Sequence, residues 1–195
     1  GLQCIRLGRW IALAAGMDKV ILFREVGSSP HLYGSCGLIS SSGALRPSWF
    51  TYATLIRQLD GVTEGIKLPL DDENVRVYAW KRGDQTILSA WAVKGRASVS
   101  LKLGACTITD SFGYSQQHAS IESLDLSEFP IYISDIGDMS AVASLEHEAR
   151  RLRAEDDARR DSLASRNAYL FDFGSMDAVG MVEVGDSRLC TPVVA

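Results

Sequence analysis

The sequence predicts an α+β protein, in which helical segments flank a continuous run of strands. Three patterns support this prediction. A helix–strand–helix pattern occupies residues 1–59, alternation with a period of two fills residues 75–133, and a charged helical pattern covers residues 138–166. Helices that are segregated in this way from a set of antiparallel strands are typical of the α+β class.

The composition is that of an ordinary globular protein, with 46% hydrophobic residues, 23% charged residues and a formal net charge of −4 over 195 residues. Nucleic-acid binding usually shows as a basic patch or stripe, so this balance predicts no nucleic-acid partner. No apolar run approaches the roughly 20 residues of a membrane-spanning helix. The start has neither a Met nor a signal-peptide pattern, so we expect a fragment. Secretion or location in the cell envelope stays open for the parent protein.

The residue types that bind metals are scattered. The four cysteines lie in different segments without a CxxC pair, and no cluster of Asp, Glu or His has the spacing of metal ligands. We therefore expect neither a metal nor another cofactor, and interpret the cysteines as small hydrophobic residues.

The first segment predicts one β/α unit. The pattern of residues 1–16 predicts a helix that is apolar on most sides, and the short apolar run 19–23 predicts a buried parallel strand. The next helix begins with Pro47, whose fixed φ suits the first helical position, and ends at Asp60-Gly61. One such unit cannot close a barrel, so either its partner strands lie outside this chain or the segment packs on something else.

The second segment predicts an antiparallel β-sandwich. Residues 75–80 and 98–103 alternate with a period of two, and turns containing glycine separate the strand-forming runs. Residues 86–93 are apolar on both faces, which predicts a central strand. Pro130 predicts an edge strand or a bulge, because proline cannot donate to a sheet ladder.

The third segment predicts a long helix. Its apolar stripe (Val142, Leu145, Ala149 and Leu152) lasts only about two heptads, which favours a spacer over a coiled coil. The residues that follow are mainly charged, and acidic residues stand four positions before basic ones (Glu155 before Arg159, Asp156 before Arg160), which supports a solvated helix.

Several motifs occur in a characteristic order. They are Phe23-Arg24-Glu25, Cys36-Gly37-Leu38, Arg46-Pro47-Ser48-Trp49-Phe50-Thr51-Tyr52-Ala53, Arg82-Gly83-Asp84, Thr109-Asp110-Ser111-Phe112-Gly113, Leu126-Ser127-Glu128-Phe129-Pro130-Ile131-Tyr132-Ile133 and Phe171-Asp172-Phe173-Gly174-Ser175. In this order they resemble the C-terminal part of retaining glycoside hydrolases of the large (β/α)8-barrel clan that includes β-xylosidases and endoglucanases.

The resemblance implies a domain organisation. Residues 1–62 would be the end of the barrel and residues 63–137 the following β-sandwich. Residues 138–168 would be a helical linker, and residues 169–195 the start of a further β-sandwich module.

The resemblance also implies where catalysis occurs. Retaining hydrolysis uses two carboxylates about 5–5.5 Å apart. In this family they are glutamates at the ends of the fourth and seventh barrel strands, which lie upstream of this chain. No residue of this chain is therefore a catalytic candidate, and the chain alone is expected to be inactive.

The loop after the strand at 19–23 supplies the candidate substrate-binding residues, because such loops carry function in barrel enzymes. They are Glu25, His31 and Tyr33. For Glu25 the alternative is a pair with Arg24 or a loop cap, and for His31 it is a solvated position. Trp49 is predicted to pack between barrel and sandwich.

Two kinds of function stay open. In the first, the parent hydrolyses O-glycosidic bonds of poly- or oligosaccharides, and this chain packs against the missing part of the barrel. In the second, the chain is a non-catalytic module that binds carbohydrate through the sandwich, including Trp80, and the loop 27–42, or it is a structural spacer. A carbohydrate partner belongs to both main hypotheses.

Overall fold

The computed structural model describes residues 37–168, which belong to two compact units, residues 37–151 and residues 152–168. The predicted first helix and strand and the predicted further module at 169–195 lie outside the described residues. The elements in the described range are α1 (Pro47–Leu59), β1 (Glu64–Lys67), β2 (Val75–Arg82), β3 (Gln85–Ala92), β4 (Arg96–Leu103), β5 (Cys106–Thr109), β6 (Ser115–His118), β7 (Ile121–Ser127), β8 (Ile131–Ser134) and α2 (Ser140–Ala168). The prediction of an α+β fold with antiparallel sheets is confirmed.

Residues 37–168 form two antiparallel sheets. Six strands make the larger sheet in the order β1-β2-β3-β8-β5-β6, and β4 pairs with β7 in the smaller one. The smaller sheet contacts β2 and β3. Strand β3 has a neighbour on each side, so the prediction of a central strand at 86–93 is confirmed.

The main core lies where the two sheets face each other. The larger sheet contributes residues such as Val77, Ala90 and Ile133, and the smaller sheet contributes Leu101 and Leu124. Successive side chains of a strand point to opposite faces, so the predicted alternation places one apolar set in this core.

Helix α2 is attached to the sandwich by its first turns. Val142 and Ala149 are buried in the same core. Beside this core, Lys81 Nζ lies 2.9 Å from Oε2 of the buried Glu146, and the Arg150 guanidinium binds both carboxylate oxygens of Glu64. Apolar and ionic contacts therefore both hold residues 140–151. Leu152, the last member of the predicted stripe, is 41% exposed.

The prediction for Pro130 is wrong. This residue immediately precedes β8, and β8 lies between β3 and β5 in the middle of the larger sheet. Because Pro130 stands before the strand, its missing N–H removes no hydrogen bond from the ladder. The proline thus marks the start of a central strand.

The predicted limits of α1 are confirmed. Pro47 occupies the first turn after Arg46, and the helix ends before Asp60. Gly61 follows with φ +71°, a left-handed conformation that glycine adopts without a steric penalty.

Candidate functional site

Helix α1 covers the outer face of the larger sheet. Leu55 and Leu59 of the helix form a second buried cluster with the outward-pointing residues of three strands. The sheet residues of this cluster are Tyr78, Trp80, Ile87, Trp91 and Tyr132. They alternate with the residues of the main core, so the sheet is buried on both faces.

The aromatic residues of this cluster are held by specific contacts. The ring centre of Tyr78 lies 5.4 Å from that of Trp91 and 5.8 Å from that of Trp80. Trp80 Nε1 donates a hydrogen bond of 2.9 Å to Ser89 Oγ. Burial raises the pKa of Tyr78, and the nearby Arg76 charge opposes this only in part.

Burial decides the role of these aromatic residues. Trp80 is only 1% exposed, so no sugar ring can stack on it. The hypothesis that Trp80 binds carbohydrate is wrong, because Trp80 packs with Tyr78 against α1. Trp49 is half-buried and lies outside this cluster, so Leu55 and Leu59 supply the contact with the sandwich.

Other aromatic residues are exposed. Tyr114 is 77% exposed, Phe129 48% and Phe112 44%, and the ring centres of Phe112 and Phe129 are 6.3 Å apart. Phe112 and Tyr114 lie in the turn between β5 and β6, and Phe129 lies in the turn between β7 and β8. We call Phe112, Tyr114 and Phe129 the aromatic surface.

Local hydrogen bonds define both turns of the aromatic surface. Asp110 Oδ1 accepts from the N–H groups of Phe112 at 2.8 Å and Tyr114 at 3.0 Å. Asp110 is therefore a turn residue. In the second turn, the Phe129 N–H donates to Ser127 Oγ at 3.2 Å.

The first of these turns also packs against α1. A Cβ atom placed on Gly113 would lie 3.1 Å from both Arg57 Nη2 and Thr54 Oγ1. Gly113 also has a φ of +97°, so two features favour glycine there. The Arg57 side chain therefore lies beside the aromatic surface.

The aromatic surface was not predicted from the sequence as a binding site. Its residues stand within motifs that indicated turns and a family resemblance. The sequence feature that could have indicated this surface is the position of the aromatic residues in turns. Turns lie on the surface, and an aromatic residue in a turn is exposed unless another element covers it.

The predicted substrate-binding residues Glu25, His31 and Tyr33 lie outside the described residues and stay predictions. Within residues 37–168, no group of three or more His, Cys, Asp or Glu side chains is placed to hold a metal ion. Neither described helix is both long and apolar enough to cross a membrane.

The sequence matches no family model and has no significant match among curated proteins. Among solved structures, the chain is similar to a GH30 endoxylanase from Clostridium papyrosolvens C71, with a TM-score of 0.38 and 11% sequence identity. The match covers 53% of this chain and 31% of that chain. A likeness at this TM-score carries no argument, so the proposals below rest on the residues and contacts of this chain.

Proposed function

We propose that this chain is the C-terminal part of a glycoside hydrolase, in which it supplies the last helix of a (β/α)8 barrel and the following β-sandwich. The parent would cleave β-linked poly- or oligosaccharides by the retaining mechanism, with two catalytic glutamates upstream. Glu25, His31 and Tyr33 would line the substrate cleft. The motif order described above supports the chemistry of this proposal.

The structural observation that carries the proposal is that α1 has two apolar sides. Thr51, Leu55 and Leu59 recur at intervals of four residues and are buried, and Leu55 and Leu59 pack on the sheet. A helix side that packs on the sandwich is expected for the last barrel helix of such an enzyme.

The other side of α1 is also apolar. Trp49, Ala53 and Ile56 are spaced by four and three residues and therefore share one helix face. Trp49 is half-buried, whereas Ile56 is 47% exposed. A helix that is apolar on two sides is normally covered by two layers. In the proposal, the second layer is the barrel of the parent enzyme, and Trp49 faces it.

The experiment compares the full-length protein encoded by the gene with this 195-residue chain. Both are assayed for release of reducing sugar from xylan, β-glucan and aryl β-glycosides. We expect activity from the full-length protein, no activity from the chain alone, and loss of activity when either upstream glutamate is replaced by Gln. Activity of the isolated chain, or an inactive full-length protein on every substrate, would refute the proposal.

A second comparison tests the barrel contact itself. Ile56→Arg should lower the melting temperature of the full-length enzyme, because it would place a charge in the barrel contact. In the isolated chain the same change should have little effect, since Ile56 is exposed. Equal effects in both proteins would contradict the placement of the barrel on this side of α1.

A further inference from the structure

We propose that the aromatic surface is a glycan-binding subsite outside the catalytic cleft. The ligand class, a β-linked polysaccharide chain, rests on the proposed function. The subsite itself rests on the exposure and geometry of Phe112, Tyr114 and Phe129.

The chemistry of the surface suits a sugar. A pyranose ring has an apolar face of C–H groups and a rim of hydroxyl groups, so it needs an aromatic face with hydrogen-bonding groups beside it. Phe112 and Phe129 supply adjacent rings tilted by 35°. The guanidinium of Arg57 approaches Gly113 in the same turn, and the exposed Tyr114 that follows Gly113 carries a hydroxyl group.

The surroundings favour a glycan over a protein partner. Tyr114 is followed directly by Ser115, Gln116 and Gln117, which are all exposed. The core of a protein–protein interface is a broader and more apolar area. A few exposed rings, followed in the chain by hydroxyl and amide side chains, match the alternating apolar and polar groups of a polysaccharide.

Hydrogen bonds in the turns preorganise the aromatic surface for a ligand. The two hydrogen bonds to Asp110 Oδ1 and the bond from the Phe129 N–H to Ser127 Oγ define the turns that carry the rings. Aromatic side chains have only two χ angles, so little conformational entropy is lost when they bind. The subsite would therefore bind without rearrangement of the backbone.

The experiment measures glycan binding by the 195-residue chain. Affinity gel electrophoresis in soluble xylan and mixed-linkage β-glucan gives the retardation, and calorimetry with xylo- and cello-oligosaccharides gives the affinity. We expect the wild-type chain to bind, and Phe112→Ala or Phe129→Ala to weaken binding about tenfold, as for other central aromatic contacts. The control is Ile56→Ala, which removes an equally exposed apolar side chain outside the aromatic surface and should leave binding unchanged.

Two kinds of result would contradict the glycan-binding subsite. Absence of binding to every glycan, or equal binding by all the variants, would overturn the subsite. Self-association of the wild type that Phe112→Ala abolishes, with no effect on glycan binding, would show a contact between copies of the chain instead. Circular dichroism spectra and melting temperatures should match across the variants, because the replaced side chains are exposed.

The result is distinguishable from a failure of the proposed function. If the full-length protein hydrolyses glycans but the isolated chain binds none, only the subsite is wrong. If the chain binds glycan through these rings but the full-length protein is inactive, the subsite stands and the assignment as a hydrolase is wrong.

Discussion

Gly65→Ala should destabilise the sandwich, because the ring of Trp80 occupies the space that a side chain would need. Gly65 is paired with Trp80 across β1 and β2. An added Cβ would clash with Cζ3 of the indole and lie 2.5 Å from its Cε3. Trp80 cannot move easily, since it is buried, lies against the ring of Tyr78 and donates to Ser89.

The expected loss can be worked from these contacts. Forcing one extra methyl group into a packed core costs about 1–3 kcal/mol. Displacement of the indole would also weaken its hydrogen bond, which contributes about 0.5–1.5 kcal/mol. The smaller backbone entropy of alanine in the unfolded chain returns about 0.4–1 kcal/mol. We therefore expect a net loss of about 1–3 kcal/mol in the free energy of unfolding.

Urea unfolding followed by far-UV circular dichroism measures this change. Gly137→Ala is the matched control, because its new Cβ would lie 3.5 Å from the nearest atom, Ala105 O, an ordinary contact. The double variant Gly65→Ala/Trp80→Leu should lose less free energy of unfolding than the sum of the two single losses, because Trp80→Leu removes the ring with which the new methyl group clashes. If Gly65→Ala is as stable as Gly137→Ala, the reasoning about ring packing is refuted.

Three further predictions concern separate parts of the fold. Leu55→Ala should lower the free energy of unfolding by about 2–4 kcal/mol, because it leaves a cavity between α1 and the aromatic residues. Ile56→Ala, on the exposed side of α1, should lower it only slightly. Equal losses for the two variants in urea titrations would contradict the described packing. Cys106 can be tested in a variant in which the other three cysteines are replaced by serine. Its thiol should react with a thiol reagent in denaturant but not in native buffer, because burial hinders access and raises the pKa of the thiol. Fast reaction in native buffer would contradict this. Asp138→Ala should lower the melting temperature near neutral pH, because the Ser140 N–H donates to the carboxylate and lowers the pKa of Asp138. That stabilisation is present above the unfolded pKa of about 3.9 and is lost as the pH falls through the lower folded pKa. A difference in melting temperature between the wild type and Asp138→Ala that persists unchanged into acid would contradict this role.

The sequence predicted the features that depend on neighbouring residues. Pro47 at the start of α1 and Asp60-Gly61 at its end follow from local backbone preferences. The positive φ angles of Gly83 and Gly95 occur in turns that the sequence marked. The alternation at 98–103 buries one set of side chains, because the period of a strand is independent of its partner.

Prediction of the aromatic surface required the tertiary structure. The sequence indicates that Phe112 lies in one turn and Phe129 in another, but these turns are separated along the chain. They come together because β8 pairs with β5. Only this pairing brings the centres of the two rings to 6.3 Å from each other.

Within residues 37–168, the amino-acid sequence alone determined the limits of α1, the alternation of the strands at 75–80 and 98–103 and the glycine turns between strands, since these features depend on a few neighbouring residues. Only the tertiary structure decided that Pro130 precedes a central strand and that α1 buries Trp80 while Phe112 stays exposed. The physical reason is that exposure depends on which distant element covers a residue. Strand order and helix packing set that cover, and neither is encoded by the local periodicity of the chain.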